Sequence, residues 1–357
     1  MEQLKDINGL LNLIEAPAFC VKGGAVVLLN EAARNCGIAE GVQISDLLNT
    51  GKREYEEYNG GCLYLDLKMG GASVNRVEDY DIFRLEDTED QAQLQAMALA
   101  SQDLRQPLTN VMTIADQLFP LTGEDASPAL QEHIARINRG LYQMQRIIVN
   151  MSDAFRYNKE TVGKRETIDI CSYINEQFTA AGELIGHTGM TLDYTPLSES
   201  IFCLADAEKL ERAIHNILSN SLKFAPKNST IQAKLARKGN MLYLTVADSG
   251  SGISPSLRQN VFSRYRRQPG VEDGRYGIGL GMVLIRNAAT VHGGTVLLEQ
   301  SESIGNRLTM TLVIDQRPAK GLHSPILKVD YAGGRDHRLL ELSDSLPSEL
   351  YKKENIN

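Results

Sequence analysis

A ten-residue stretch, 215–224, brings two amide side chains and a lysine to positions where they can act together. Asn220 follows Asn216 by four residues and precedes Lys223 by three. On a helix these spacings place the three side chains on one face. An amide oxygen is a hard, neutral ligand suited to magnesium that also holds phosphate oxygens, and a lysine neutralises phosphate charge. Taken singly, Asn216 would be read as a cap or a surface polar residue, and Lys223 as a solvated one.

A carboxylate and two glycines follow in the short run 248–252. Asp248 is placed at the end of a predicted strand, and its carboxylate can accept a hydrogen bond from an exocyclic amine such as that of adenine. Gly250 and Gly252 carry no Cβ, so the backbone can approach a base closely. An ordinary turn would have the same residues, and this motif alone would not decide between the two.

A glycine loop that runs into a predicted helix completes the pattern. It contains Gly277, Gly279 and Gly281, with Leu280 between the last two. The N–H groups at a helix N-terminus attract phosphate. A single glycine-rich loop is weak evidence, but the three segments in this order predict a pocket for a purine nucleotide with its metal and phosphates.

Composition narrows the class of protein. The chain has 357 residues, 42% hydrophobic and 23% charged, which allows two or three globular domains. Its net charge of -8 argues against nucleic acid and against an anionic membrane surface. We find no apolar run of about 18 residues and no secretory leader at the start. Five cysteines without CxxC spacing are typical of free thiols in a reducing compartment, so we expect a cytoplasmic protein without a membrane span.

Residues 1–87 are predicted to form a small α+β domain. Apolar runs at 25–29 and 62–65 suit short strands, and glycines at 23–24 and 60–61 separate them. The segments 17–21 and 26–33 resemble the start of a PAS sensor domain, which implies a signal-sensing role. A generic small dimerising domain is the alternative.

Residues 88–160 are predicted to form a helical hairpin. Apolar or small residues recur three and four apart in two stripes, and Ser127-Pro128 suits the start of the second helix. A lone hairpin cannot bury both stripes, so we predict a homodimer with a four-helix bundle. The stripes are Leu94, Met97, Ser101, Leu104, Leu108, Val111, Ala115 and Leu118, then Leu130, Ile134, Ile137, Leu141, Met144, Ile148, Met151 and Phe155.

Residues 161–316 mix the two periodicities and predict an α/β sandwich, with helices on one face of a mixed sheet. We expect strands at 190–194, 231–235 and 242–246, and helices at 207–224 and 281–292. Residues 317–357 form a C-terminal extension of unknown role. A strand at 326–329 and a short helix at 336–346 are predicted there.

The three motifs resemble the N, G1 and G2 boxes of the histidine kinase/Hsp90/gyrase ATPase superfamily, and 261–267 resembles the F box between them. With the hairpin, the resemblance is to the sensor histidine kinases of two-component systems, over about residues 90 to 315. It implies Mg-ATP, with Asn220 on the metal, Asn216 and Lys223 at the phosphates, Asp248 on adenine and the glycines shaping a lid. It also makes Arg264 and Arg267 candidate phosphate contacts, with solvated surface arginines as the alternative.

One position separates the branches of that superfamily. The hydrolysing members place a glutamate one turn before the metal-binding asparagine, and this chain has Asn216 there. An amide is no general base. The site therefore favours a kinase-type or non-hydrolysing protein over a chaperone or topoisomerase motor.

The hairpin departs from the family at the phosphoryl acceptor. Sensor kinases carry Ser-His-Glu-Leu-Arg-x-Pro-Leu, whereas residues 101–108 read Ser-Gln-Asp-Leu-Arg-Gln-Pro-Leu. Gln102 stands at the acceptor position, and its amide nitrogen is not nucleophilic. Asp103 holds the family's acid/base position, which loses its task without an acceptor. Gln106 replaces the Thr or Asn that positions water for phosphatase action, so it is either a water-orienting amide or a solvated glutamine.

These features predict a dimeric sensor histidine kinase homologue that binds Mg-ATP, does not phosphorylate itself at the usual site, and acts on a response regulator receiver domain or another kinase. Two alternatives remain open from sequence. One is an active kinase that phosphorylates a partner in trans, and the other is a non-catalytic dimeric scaffold with a vestigial ATP site.

Overall fold

The computed structural model describes residues 9, 11–86, 89–118, 127–159, 164–250, 261–262, 279–301, 305–316 and 331–356. Within these ranges the protein is an α+β molecule. None of its helices there combines the length and the apolar character that crossing a membrane requires.

The first domain is an antiparallel sheet with three short helices. Its strands are β1 (Ala18–Lys22), β2 (Ala25–Leu29), β3 (Cys62–Leu67), β4 (Gly70–Val77) and β5 (Tyr80–Leu85), and its helices are α1 (Glu31–Asn35), α2 (Ile44–Leu47) and α3 (Lys52–Glu56). The strand order is β2-β1-β5-β4-β3. Phe19 and Phe83 stack in its core with ring centroids 4.8 Å apart. Asn30 caps α1 and also binds three backbone carbonyls of the preceding segment, which fixes that segment against the sheet.

Two long helices follow, α4 (Glu89–Leu118) and α5 (Pro128–Lys159). α4 continues through Pro107. Leu108, Met112, Ala115, Leu141 and Ile148 form a buried cluster between the two helices. Other apolar side chains of both helices stay exposed in the single chain, namely Leu99, Leu104, Val111, Ile114, Leu130, Ile137, Met144 and Ile147. The hairpin therefore buries only part of its apolar surface by itself.

The third unit packs three helices against a mixed sheet. Its elements are β6 (Glu166–Asp169), α6 (Ile170–Gly186), β7 (Thr191–Thr195), β8 (Phe202–Ala205), α7 (Ala207–Phe224), β9 (Thr230–Lys238), β10 (Met241–Asp248), α8 (Gly281–Val291), β11 (Val296–Ser301) and β12 (Gly305–Val313). The strand order is β11-β12-β10-β9-β7, with β7 parallel to β9. Alternation along β9 turns Ile231, Ala233 and Leu235 into the core.

The sheets of the first and third units are continuous. β3 pairs antiparallel with β11, with Cys62 opposite Leu298 and Tyr64 opposite Val296. Gly61 lies so close to this neighbour that a Cβ there would sit 2.5 Å from the Leu298 carbonyl oxygen. The two edges thus protect each other from solvent and from other strands.

The C-terminal segment, Tyr331–Ile356, lies between the hairpin and the third unit. It contains α9 (His337–Glu341), a 3₁₀ turn (Ser348–Tyr351) and α10 (Lys353–Ile356). The predicted helix at 336–346 is shorter than expected and ends at Glu341. After Glu341 the backbone continues in turns. Pro347 has no N–H to bond the Ser343 carbonyl oxygen, which accepts from Arg139 of α5 instead, as does the Asp344 carbonyl oxygen. The predicted strand at 326–329 lies outside the described residues.

Candidate functional site

α7 presents the predicted amide and lysine side chains. The helix begins after Asp206, whose side chain accepts from the Lys209 N–H. Its buried face holds Asn216, only 2% exposed, whereas Asn220 and Lys223 are half-buried. Asn216 Nδ2 donates to the Arg212 carbonyl oxygen at 2.8 Å, so its Oδ1 points away from the helix backbone.

The start of α8 closes over these asparagines. α8 begins at Gly281, and Gly279 just before it has a φ of +74°. A Cβ at Gly281 would lie 3.1 Å from Asn216 Oδ1 and 3.8 Å from Asn220 Oδ1. Asn220 Nδ2 also donates to Met282 Sδ at 3.8 Å. The structure therefore brings the amide face and the end of the glycine loop together, and glycine is required for that closeness.

Asp248 is the last residue of β10, and three donors orient its carboxylate. Oδ2 accepts from Ser221 Oγ of α7 at 2.8 Å, and Oδ1 accepts from the Gly250 N–H at 2.9 Å and from Asn306 Nδ2 at 3.1 Å. A carboxylate offers about four acceptor sites. Within the part of the chain that the structure describes, one site thus stays open for a ligand donor.

Asn306 is a site residue that sequence reasoning missed. The structure places it opposite Asp248 in the β10–β12 ladder, at the end where Asp248 lies. Its Oδ1 is a buried acceptor that has no hydrogen-bond partner among the described residues. The pairing register of β10 and β12, which places Asn306 opposite Asp248, was the signal that could have identified it.

Lys223 is not solvated, and its partner comes from the C-terminal segment. Its Nζ donates to Asp344 Oδ2 at 2.6 Å, and Arg146 Nη1 of α5 donates to the same oxygen at 2.7 Å. Arg146 Nη2 also reaches Asn216 Oδ1 at 3.3 Å. Burial lowers the pKa of Lys223, and the neighbouring Arg146 lowers it further, against the opposing effect of Asp344. Burial raises the pKa of Asp344, but Arg146 and Lys223 more than offset this and hold that pKa below its usual value.

A second carboxylate, which is fully buried, pairs with the same arginine and with Arg212. Glu341 of α9 accepts from Arg212 Nε at 2.9 Å and from Arg146 Nε at 3.2 Å. Arg212 also pairs with Asp153 of α5 and lies over the Tyr331 ring. The two arginines therefore join α5, α7 and the C-terminal segment into one buried charge network.

Among the described residues, no histidine stands at the acceptor position of the hairpin, and one histidine of the third unit, His187 at the end of α6, is exposed. His215 and His292 are buried in the third unit, and His133 is exposed on α5. Burial lowers the pKa of His215. His292 Nε2 accepts from the Asp206 N–H at 3.0 Å, which fixes a neutral ring in a structural role.

Gln102, Asp103 and Gln106 all lie exposed on α4. Gln106 Nε2 donates to Asn110 Oδ1 at 3.1 Å, and both side chains face solvent. The four remaining predicted residues, Gly252, Arg264, Arg267 and Gly277, lie outside the described residues.

The first domain reaches the helix that follows the glycine loop. Arg286 of α8 pairs with Glu86, and its guanidinium lies 4.9 Å from the centroid of the Tyr64 ring. Tyr64 Oη donates to Glu86 Oε1 at 2.8 Å, and the ring packs against Phe262 with centroids 5.6 Å apart. This first-domain contact to α8 follows from the β3–β11 pairing and has no signature in the sequence.

Comparison with known proteins agrees with this geometry. Residues 205–316 match the family of histidine kinase-, DNA gyrase B- and HSP90-like ATPases. Hybrid signal transduction histidine kinase D of Dictyostelium discoideum is 26% identical over 232 residues. The signal transduction histidine-protein kinase BaeS of Escherichia coli is 25% identical over 225 residues. Over these lengths the chain is similar to sensor histidine kinases.

The likeness to these proteins covers only part of each chain. Both alignments cover 62% of this chain, but only 15% of the Dictyostelium protein and 46% of BaeS. The crystal structure of full-length ShkA in complex with AMPPNP is 17% identical and matches 70% of this chain and 54% of ShkA, with a TM-score of 0.50. That likeness concerns the fold. In this chain it extends beyond residues 205–316, which match the ATPase family.

Proposed function

We propose that this chain is a dimeric two-component signalling protein that binds Mg-ATP and does not phosphorylate itself at the usual hairpin position. It regulates a response regulator receiver domain or another kinase through the geometry of its helical bundle. The observations that carry the proposal are the close approach of Gly281 to Asn216 and Asn220, and the exposed Gln102 at the position of the acceptor histidine in the hairpin.

The residues present fit Mg-ATP. The acceptor position on Asp248 and the buried Oδ1 of Asn306, which have no partner among the described residues, suit the exocyclic amine of adenine. Gly281 keeps the space beside Asn216 and Asn220 free of a side chain, and these amides suit magnesium and phosphate oxygens. Bound magnesium would neutralise phosphate charge. Among the fold relatives, ShkA was solved with AMPPNP, an ATP analogue, which supports the same ligand class here.

The lack of an acceptor supports a regulatory role. The amide nitrogen of Gln102 is delocalised into its carbonyl group and cannot attack a phosphorus atom. Asp103 is exposed beside it and has no imidazole to act on. Gln106 could orient water toward a phosphorylated receiver, but its bond to Asn110 favours a solvated surface residue.

The exposed apolar residues of the hairpin support the homodimer. Leu104, Val111, Ile137 and Met144 are each about half exposed, at 51, 52, 51 and 48%. They belong to the heptad stripes that the sequence defines, so a second hairpin would cover them in a four-helix bundle. The PAS-like sensing role of the first domain is part of the same proposal, supported by its contact with α8.

The decisive experiment is incubation of the full chain with γ-labelled ATP and magnesium. We expect no acid-labile label on the protein. The variant Gln102→His is the matched control, since it returns an imidazole to the same exposed position. Acid-labile label on α4 or α5 of the unaltered chain would overturn the proposal.

The second candidate is a dimeric scaffold with a vestigial ATP site. The observation in its favour is that Lys223 already has a carboxylate partner, Asp344. Calorimetric titration with Mg-ATP separates the two candidates, because a vestigial site gives no binding heat at any attainable nucleotide concentration.

A further inference from the structure

We propose that Asp344 occupies the phosphate end of the nucleotide site, so that the C-terminal segment Tyr331–Ile356 competes with Mg-ATP. The inference rests on the proposed function, since it assumes that the site takes a nucleotide. It assigns a role to a segment for which the sequence predicted none.

The first step is the chemistry at one oxygen atom. Asp344 Oδ2 receives Lys223 Nζ at 2.6 Å and Arg146 Nη1 at 2.7 Å. An anionic oxygen held by two cations is the environment that a phosphate oxygen would need. The carboxylate therefore already satisfies the lysine that the nucleotide site would use.

The second step is the position of these groups relative to the amide face. Arg146 joins Asp344 to Asn216, because its Nη2 donates to Asn216 Oδ1. Asn216 in turn is the residue that limits the space at Gly281. The Asp344 carboxylate thus lies on the side of α7 where the asparagines and the glycine loop meet.

The third step is burial. The side chains of Arg146 and Lys223 are 6 and 10% exposed, and that of Asp344 is 24% exposed. Charges screened this little interact strongly with one another. Phosphates and Asp344 are both anionic, so they would repel each other if both approached Lys223.

The fourth step is how the segment is held. Glu341 anchors it to Arg212 and Arg146, and Tyr351 packs edge-on against Tyr142 of α5 with ring centroids 5.2 Å apart. These anchors flank Asp344 on both sides along the chain. A nucleotide can displace the carboxylate alone, or displace it together with the loop that follows α9.

The direction in which one substitution changes the affinity for Mg-ATP tests the inference. We expect Asp344→Asn to bind Mg-ATP about tenfold more tightly than the unaltered full chain, because one charge-assisted contact no longer competes. Adenosine carries no phosphate, so its affinity should not change. Glu349→Gln is the matched control, since Glu349 is an exposed carboxylate of the same segment. Thermal unfolding of each variant verifies that it is folded.

A second measurement uses the unaltered chain and does not depend on any variant. Hydrogen exchange followed by mass spectrometry reports on the backbone amides of residues 336–346. We expect Mg-ATP to increase their exchange, because displacement of Asp344 loosens the stretch that Arg139 holds. Adenosine should leave their exchange unchanged.

Three outcomes overturn the inference. Equal or weaker Mg-ATP binding by Asp344→Asn would mean that Asp344 does not compete, or that it positions Lys223 for the ligand. Increased protection of 336–346 by Mg-ATP would mean that nucleotide and segment bind together. In both cases Mg-ATP binds and the proposed function stands. If neither Mg-ATP nor adenosine binds to any of the proteins, the proposed function fails and this inference fails with it.

Discussion

The hydrogen bonds of the Asp248 carboxylate lead to a specific prediction about base recognition. In the variant Asp248→Asn, the retained oxygen can keep the bonds from Gly250 and Asn306 that Oδ1 now accepts. The new amide nitrogen then stands where Oδ2 faces Ser221 and the ligand. It presents N–H donors to the amine of adenine, which is itself a donor, so the contact is lost while the fold is kept.

The expected size of the effect follows from the type of bond. A hydrogen bond to a charged acceptor contributes about 1.5–3 kcal/mol. Since about 1.4 kcal/mol corresponds to tenfold, Mg-ATP affinity should fall about 10- to 150-fold. Guanine has a carbonyl acceptor where adenine has the amine. The affinity for Mg-GTP should therefore fall much less than that for Mg-ATP, or rise.

Titration calorimetry with Mg-ATP and Mg-GTP measures both effects. Asp79→Asn is the control, because that side chain is 83% exposed in the first domain. Asp248→Ala removes both acceptors, and its loss of Mg-ATP affinity should be at least as large. Unchanged Mg-ATP affinity in Asp248→Asn and Asp248→Ala would refute the assignment of Asp248 to the base.

Three further predictions concern the domain contact, the dimer and the pH dependence. Glu86→Gln should lower the free energy of unfolding by about 2 kcal/mol in chemical denaturation, because the buried Arg286 loses its charged partner; no change would contradict that role. Val111→Asp should yield monomers in analytical ultracentrifugation, whereas Thr113→Asp, on the opposite side of α4, should not; a dimer in both would place the interface elsewhere. Burial, together with the positive charges of Arg165 and Lys209, lowers the pKa of His292 to about 4 despite its bond to the Ala288 carbonyl, so only the unfolded chain binds this proton between pH 4 and 6.5. Unfolding free energy should therefore fall by about 1.4 kcal/mol per unit as the pH drops through that window, and His292→Gln should flatten the curve; an equally steep profile in the variant would contradict it.

Local patterns in the sequence predicted much of the architecture. The bounds predicted for α7 agree with the structure, because its apolar face and the Asp206 cap that precedes it are both local features of the sequence. β2 occupies the run 25–29 for the same reason, and β10 ends at Asp248 as expected. The amide face of α7 was also readable, since residues three and four apart must share a side of a helix.

Long-range pairing could not be predicted in this way. β3 and β11 meet across more than two hundred residues, and neither edge carries a signal that selects the other. The contact of Asp344 with Lys223 joins the C-terminal segment to α7. A single aspartate in a segment without a motif gave no reason to expect it there, and Lys223 on its own suggested a solvated face.

These contacts change how the site is understood. The sequence described a nucleotide pocket whose product was uncertain because of Gln102. The structure adds a carboxylate at the lysine of that pocket and a first-domain contact on α8. The proposed nucleotide site, the C-terminal segment and the first domain therefore meet on α7 and α8.

The most direct test of the account is a double-label experiment on the full chain. Equimolar ATP labelled at the α- or the γ-phosphate is mixed with the protein and magnesium, and the protein is collected on filters before and after denaturation. We predict equal retention of both labels by the folded protein, and no label of either kind after denaturation. γ-Label that stays on the denatured protein would contradict the claim that this chain binds ATP without accepting its phosphoryl group.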